Sequence, residues 1–272
     1  MKEKIVLLIA SLLFSSSLSA NSCYDIFKLD SKPEQPIDTA VFILIDETTL
    51  FDDKLKQQII SNALSKISAN NYIYIAKFSA FISGHYNEKV FDFLLDSPLS
   101  EKQRYNERKD TLNKIDKCIK DQSGYVHNSV KSSIMNSFLK AGGDIPKSDI
   151  LYALKDFGVN VIAQVEAKEK IVILASDMLE NSTITSFYAK GTSRLINEDA
   201  EIKKVEANQL LTNFGAAKVY VIGTGIVSSD KSSTYRDPKI LSALKSFWGT
   251  YISKSNGELI EMGQPALKSN IK

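Results

Sequence analysis

The stretch that decides the fold runs from Thr39 to Asp53, "TAVFILIDETTLFDD". Five apolar residues, Val41 to Ile45, are followed at once by Asp46, Glu47, Thr48 and Thr49. A run this short and this apolar, with no alternation, reads as a strand buried on both faces, as in the middle of a parallel sheet. The acid and hydroxyls then sit at the carboxyl end of that strand, where open α/β sheets bind their ligands.

Working outward, the same punctuation recurs. From Asp52 to Ser68, "DDKLKQQIISNALSKIS" places Leu55, Ile59, Ile60, Ala63, Leu64 and Ile67 at helical spacing behind an Asp cap. A strand centred on Ile73–Phe78 follows, which makes a βαβ unit, and a third short strand is expected near "FISGHYN", 81–87. Farther on, "KIVILASDMLENS" repeats the apolar run and ends in Ser176 and Asp177, preceded by a helix that Ser148 or Asp149 caps. A helix over about 198–214, the strand "AKVYVIGTGI", a helix through "PKILSALKSFWGTYISKS" and a last strand "GELIEM" complete the pattern. The expectation is a doubly wound, mostly parallel α/β sheet with helices on both faces. Between about 87 and 147 the residues are polar and helix-compatible, and the reading there is a helical insertion of two helices, Leu99–Lys120 and Val126–Leu139, with no strand.

The opening, "MKEKIVLLIASLLFSSSLSA", has Lys2 and Lys4, an apolar stretch and then small residues, the layout of a signal peptide over residues 1–20. Residues 21–38 read as an extended lead-in, 39–263 as the domain and 264–272 as a tail. The chain is expected to be exported, periplasmic or secreted, with lipid attachment at Cys23 as a minor alternative. Export makes the two cysteines, Cys23 and Cys118, disulfide partners. The formal net charge of +2 falls to +1 without the leader, so nothing electrostatic points to nucleic acid. No later segment is apolar enough to cross a membrane.

Asp46 and Asp177, with Thr48, Thr49 and the Ser148/Asp149 segment, offer hard oxygen donors without His or Cys, a set that suits Mg²⁺. The bland alternative is that each Asp caps the turn after its strand. His85 and His127 lie in separate segments and no Gly-x-Ser-x-Gly elbow accompanies them, which argues against a hydrolase triad. "GTGIVSSD" lacks both the dinucleotide and the Walker spacing, so its glycines are read as a tight strand exit.

The order "ILIDETT", "KSDILYALKDF", "IVILASDMLENS" and "KVYVIGTG" resembles the von Willebrand factor type A domain, over about Thr39 to Met262. That family carries a metal-ion-dependent adhesion site built from a DxSxS motif, a hydroxyl residue ahead of a helix and an Asp after the fourth strand. The resemblance implies Asp46 as the first acid, Thr48 as the first hydroxyl and Asp177 as the late acid. It implies Ser148, or alternatively Asp149, as the middle hydroxyl. Leu50 stands where the second hydroxyl of the motif belongs, and Thr49 is one position out of register and expected to point elsewhere. The implied function is a protein-binding module in an envelope or surface assembly, not an enzyme, with a degenerate site and weak or absent Mg²⁺ dependence. The rivals are a metal-dependent hydrolase using the same carboxylates, with Glu47 or Glu180 as base, and a purely structural envelope component.

Overall fold

The computed structural model describes residues 22–29, 33, 35–79, 87–138, 148–189, 192–226 and 237–271. In chain order its elements are α1 (Cys23–Ile26), β1 (Ile37–Asp46), α2 (Asp53–Leu64), β2 (Tyr72–Phe78), β3 (Glu88–Leu94), α3 (Glu101–Tyr105) and α4 (Lys109–Ser137). They continue with α5 (Ile150–Asn160), β4 (Ala167–Ala175), the small hairpin β5 (Tyr188–Ala189) and β6 (Thr192–Ser193), α6 (Glu198–Ala207), β7 (Ala217–Ile222), α7 (Pro238–Lys254) and β8 (Gly257–Met262).

Six strands form one sheet in the order β3-β2-β1-β4-β7-β8. All neighbours are parallel except β3, which runs antiparallel to β2. The chain winds outward from β1 to β3, then returns to the other side of β1 and winds outward again from β4 to β8. The fold is therefore doubly wound, and its topological switch point lies between β1 and β4.

The two faces of β1 explain why its sequence does not alternate. Val41, Ile43 and Ile45 face a core shared with Ile59 of α2 and Val126, Val130 and Ile134 of α4. Phe42 and Leu44 face a second core with Phe157 of α5, Val205 of α6, and Trp248 and Tyr251 of α7. Every residue of the run is fully buried, so each position is apolar. Helix α2 starts where Asp52 accepts from Leu55 N at 2.9 Å, and α7 where Asp237 accepts from Lys239 N at 2.8 Å with Pro238 in the first turn.

The middle of the chain departs from its sequence reading in two ways. Residues 88–94 form an edge strand inside the region read as purely helical; Tyr72↔Leu94 to Ile75↔Phe91 pair it with β2, and Phe93 is buried. The strand expected at 81–87 lies outside the described residues, Asn87 apart. The helix expected from Leu99 begins as the separate α3, and from Lys109 it runs on without a break through the second expected helix as α4, of 29 residues. Its apolar stripe, Ile115, Val126, Val130 and Ile134, passes straight through "DQSGYVHN". Gly124 is exposed, and a Cβ added there would meet nothing within 4 Å, so it interrupts no packing.

The lead-in is not simply extended. Its residues 23–26 are the helical turn α1, capped by Ser22 and fastened by the Cys23–Cys118 disulfide across 95 residues of sequence. Tyr24, Leu29, Leu99 and Ile115 form a small separate core around that bond. Closing a loop of this length stabilises by about 4 to 5 kcal/mol in the chain-entropy description. Helix α6 ends at Ala207, short of the expected 214. The segment after β8, read as a tail, is held on α2: Gln58 exchanges two hydrogen bonds with the Leu267 backbone, and Asn62 Oδ1 accepts from Ile271 N at 2.8 Å. Among the described residues, no helix is long and apolar enough to cross a membrane.

Candidate functional site at the switch point

Asp46 is the last residue of β1, and the strand register sets the next residues of β1 and β4 side by side: Ile45 pairs with Ala175, so Asp46 meets Ser176. Its carboxylate is fully buried and saturated with donors. Oδ1 accepts from Thr48 N at 2.9 Å and Thr48 Oγ1 at 2.6 Å. Oδ2 accepts from Ser176 Oγ at 2.8 Å, Thr49 Oγ1 at 3.2 Å and Ser148 Oγ at 3.3 Å. Four hydroxyls from three separate segments thus converge on one acid. Burial raises the Asp46 pKa, opposed by the bonds from Thr48, Ser176 and Thr49, which favour the ionised form. Among the described residues, no Lys or Arg forms an ion pair with it.

Each segment is shaped to deliver its group. A turn closed by Thr49 N to Asp46 O, at 3.4 Å, swings Thr49 inward, where it is 1 % exposed, and Leu50 outward, where it is 42 % exposed. Thr49 Oγ1 also accepts from Asp177 N at 3.2 Å, so this one hydroxyl joins the loops after β1 and β4. The expectation that Thr49 would point away is therefore corrected: the turn, not the spacing along an extended chain, sets its direction. Ser148 is fixed by a two-way backbone bridge to Asn181, 3.0 and 3.3 Å. That bridge selects Ser148 over Asp149 as the hydroxyl at the site.

After β4 the chain turns sharply at Met178, whose φ of 60° lies in the left-handed region. Such a backbone is unfavourable for a side-chain-bearing residue by roughly 1 to 2 kcal/mol, and here Trp248 Nε1 donates to Met178 O at 2.9 Å to hold it. The Asp177 carboxylate accepts from Leu179 N at 2.8 Å, while its carbonyl accepts from Gly225 N at 3.0 Å. Gly223 is required on the same face: its φ is 110°, and a Cβ would lie 2.7 Å from the Phe51 ring. The glycines of "GTGIVSSD" thus make a tight strand exit.

Asp46, Thr48 and Ser148 come together as the sequence implied, and Asp177 joins them through Thr49. Thr49, a nearby oxygen donor in the sequence reading, bonds Asp46 directly, and Ser176 is a site residue that sequence reasoning missed. The signal for Ser176 was the hydroxyl preceding Asp177, which parallel register places opposite Asp46. The side-chain donors that converge on Asp46 are all hard oxygens, the type a small divalent cation takes; the Asp177 carboxylate accepts from Leu179 N, and among the described residues no group of three or more His, Cys, Asp or Glu could hold a metal ion. Of the two candidate bases, Glu47 is paired with Lys77 at 3.0 Å, and Glu180 turns to the first turn of α5. His127 is exposed on α4, and His85 lies outside the described residues.

No protein-family model matches the chain. No curated protein matches it either. Among solved structures, the chain is similar to a crystal structure described as an aerotolerance-related membrane protein from Bacteroides fragilis with multiple mutations to serines, at 13 % identity and a TM-score of 0.39 over 86 % of this chain and 93 % of that one.

Proposed function

We propose that the chain is an exported, non-enzymatic protein-binding module of von Willebrand factor A type, which meets its partner through the face at the carboxyl ends of β1 and β4. The observation that carries this reading is Asp46, a fully buried carboxylate at the topological switch point, ringed by hydroxyls and lacking an ion-pair partner among the described residues. A buried charge without a counter-charge favours an incoming cation. Asp46, Thr48, Thr49, Ser148, Ser176 and Asp177 would hold Mg²⁺, and the ion would offer a coordination position to an acidic side chain of the partner. The affinity is weak, because the hydroxyls already donate to Asp46 and must turn their lone pairs outward before they can ligate. Mg²⁺ keeps waters readily, so partial coordination by protein suffices.

Export is supported by the leader-like opening and by the disulfide, which belongs to oxidising compartments. A non-catalytic role is supported by Glu47, held by Lys77, and by Glu180, turned to the start of α5, neither of which is bonded to a group of the site.

The test is capture from an envelope extract with the wild type and Asp46→Asn, each in Mg²⁺ or in chelator. The reading expects a partner retained by the wild type in Mg²⁺, reduced by chelator and lost in Asp46→Asn. Equal retention by both proteins contradicts it, and hydrolytic turnover that depends on Asp46 would replace it with the enzyme reading.

A further inference from the structure

Glu180 lies in the loop leaving β4 and is completely buried. Its Oε2 accepts from Leu151 N at 3.0 Å, in the first turn of the 11-residue α5, while Oε1 has no hydrogen-bond partner. A buried ionised carboxylate with an orphaned oxygen is costly, whereas the neutral acid is tolerated. Burial pushes its pKa up to about 8, opposed by the Ser182 hydroxyl and the first amides of α5 and reinforced by the charge of Asp149. The other titratable group facing it is Tyr251 of α7, whose hydroxyl donates to Leu210 O at 3.1 Å and whose own ionisation is pushed up by burial and then by Glu180. Among the described residues, no basic side chain pairs with Glu180.

The next residue, Asn181, makes the backbone bridge to Ser148, and Ser148 Oγ donates to Asp46. One loop therefore grips α5 through Glu180 and, a residue later, grips the hydroxyl that completes the site. We propose that Glu180 is a proton-controlled positioning residue: as a neutral acid it seals the loop after β4 onto the start of α5 and so holds Ser148 at Asp46, and its ionisation loosens that seal. This device sets the position of Ser148 whatever the face binds, so it stands apart from the cation and partner reading.

The direction follows from linkage. With the seal open, Glu180 is hydrated and titrates near its ordinary value of 4.5; with the seal closed it titrates near 8. Between those values opening releases a proton, so the opening equilibrium rises about tenfold per pH unit, with no dependence below or above the window. The seal is tightest in acid and weakest from about pH 8 upward.

Amide hydrogen exchange of the full chain between pH 5 and 8, with rates divided by the intrinsic chemical rate, tests this. The amides of Ser148, Leu151 and Asn181 should lose protection by up to about tenfold per pH unit in the wild type, while those of Ala40–Leu44 stay level. Glu180→Gln should abolish the slope. A level wild-type profile overturns the proposal, and so does an equal slope in Glu180→Gln, which would assign the proton to Asp46 or Asp149. Should the Gln variant fail to fold, carbon NMR of glutamate-carboxyl-labelled wild type decides: one glutamate titrating near pH 8 is expected, and none titrating above about 6 overturns the assignment.

Discussion

Thr49 shows how one side chain can restore a motif that its spacing breaks. Its hydroxyl donates to Asp46 and accepts from Asp177 N, whereas Leu50, at the motif's nominal position, is at the surface. Thr49→Val keeps the shape and removes both bonds, so it should destabilise the protein by about 1 to 3 kcal/mol in urea unfolding. Thr49→Ser should recover most of that loss. Leu50→Ser should fall within about 0.5 kcal/mol of the wild type, since an exposed side chain is being exchanged for another. A Leu50→Ser change that tightens cation binding would show that the loop holds the motif's spacing after all. At this scale the sequence revealed Asp46, Thr48, Ser148 and Asp177, because each is an oxygen donor at a strand end or helix start. It showed Thr49 as a nearby donor but hid its direction, which depends on a turn, and it hid the role of Glu180, whose burial depends on a loop folding back over α5.

Among the elements, strands were legible wherever both faces are buried. β1, β4 and β7 lie in the middle of the sheet, and their apolar runs leave no alternative period. The edge was harder to see: β3 reads "EKVFDFL", mixes charge with aromatics, and carries an extra residue between the pairs Ile75↔Phe91 and Ala76↔Lys89. The other edge has the same device, with Ile260 extra between the pairs Val219↔Leu259 and Tyr220↔Glu261. Bulges and charges at edges discourage pairing with another chain, and they also blur the alternation that identifies a strand. In α4 the segment "DQSGYVHN" separates two expected helices, yet the helix runs through it and through its Gly124. Glycine costs roughly 0.5 to 1 kcal/mol against alanine in a helix interior, and here the continuous stripe beneath it outweighs that cost. Gly124→Ala, with open space around its Cβ, should therefore stabilise the protein by about that amount. A loss of stability in thermal unfolding would mean that α4 is kinked or divided at this point in solution.

For the molecule as a whole, the winding order does the positioning. Because β1 and β4 are parallel neighbours wound in opposite directions, the loops that leave them meet at the switch point, where Thr49 ties the two together beside the buried Asp46. The alternation of strands and helices made that topology readable in advance. The small core around Cys23–Cys118 was not, because it depends on residues 22–29 docking onto α4, and only the cysteine pairing hinted at it. The cation reading proposed for the hydroxyl ring around Asp46 can be tested on the molecule itself. Paramagnetic broadening of amide resonances by Mn²⁺ locates such an ion directly. A weak site there gives broadening centred on Glu47–Leu50, Ser148 and Ser176–Met178, half-complete at an ion concentration on the order of 1 mM, and abolished in Asp46→Asn. Broadening centred elsewhere, or unchanged in Asp46→Asn, would contradict it.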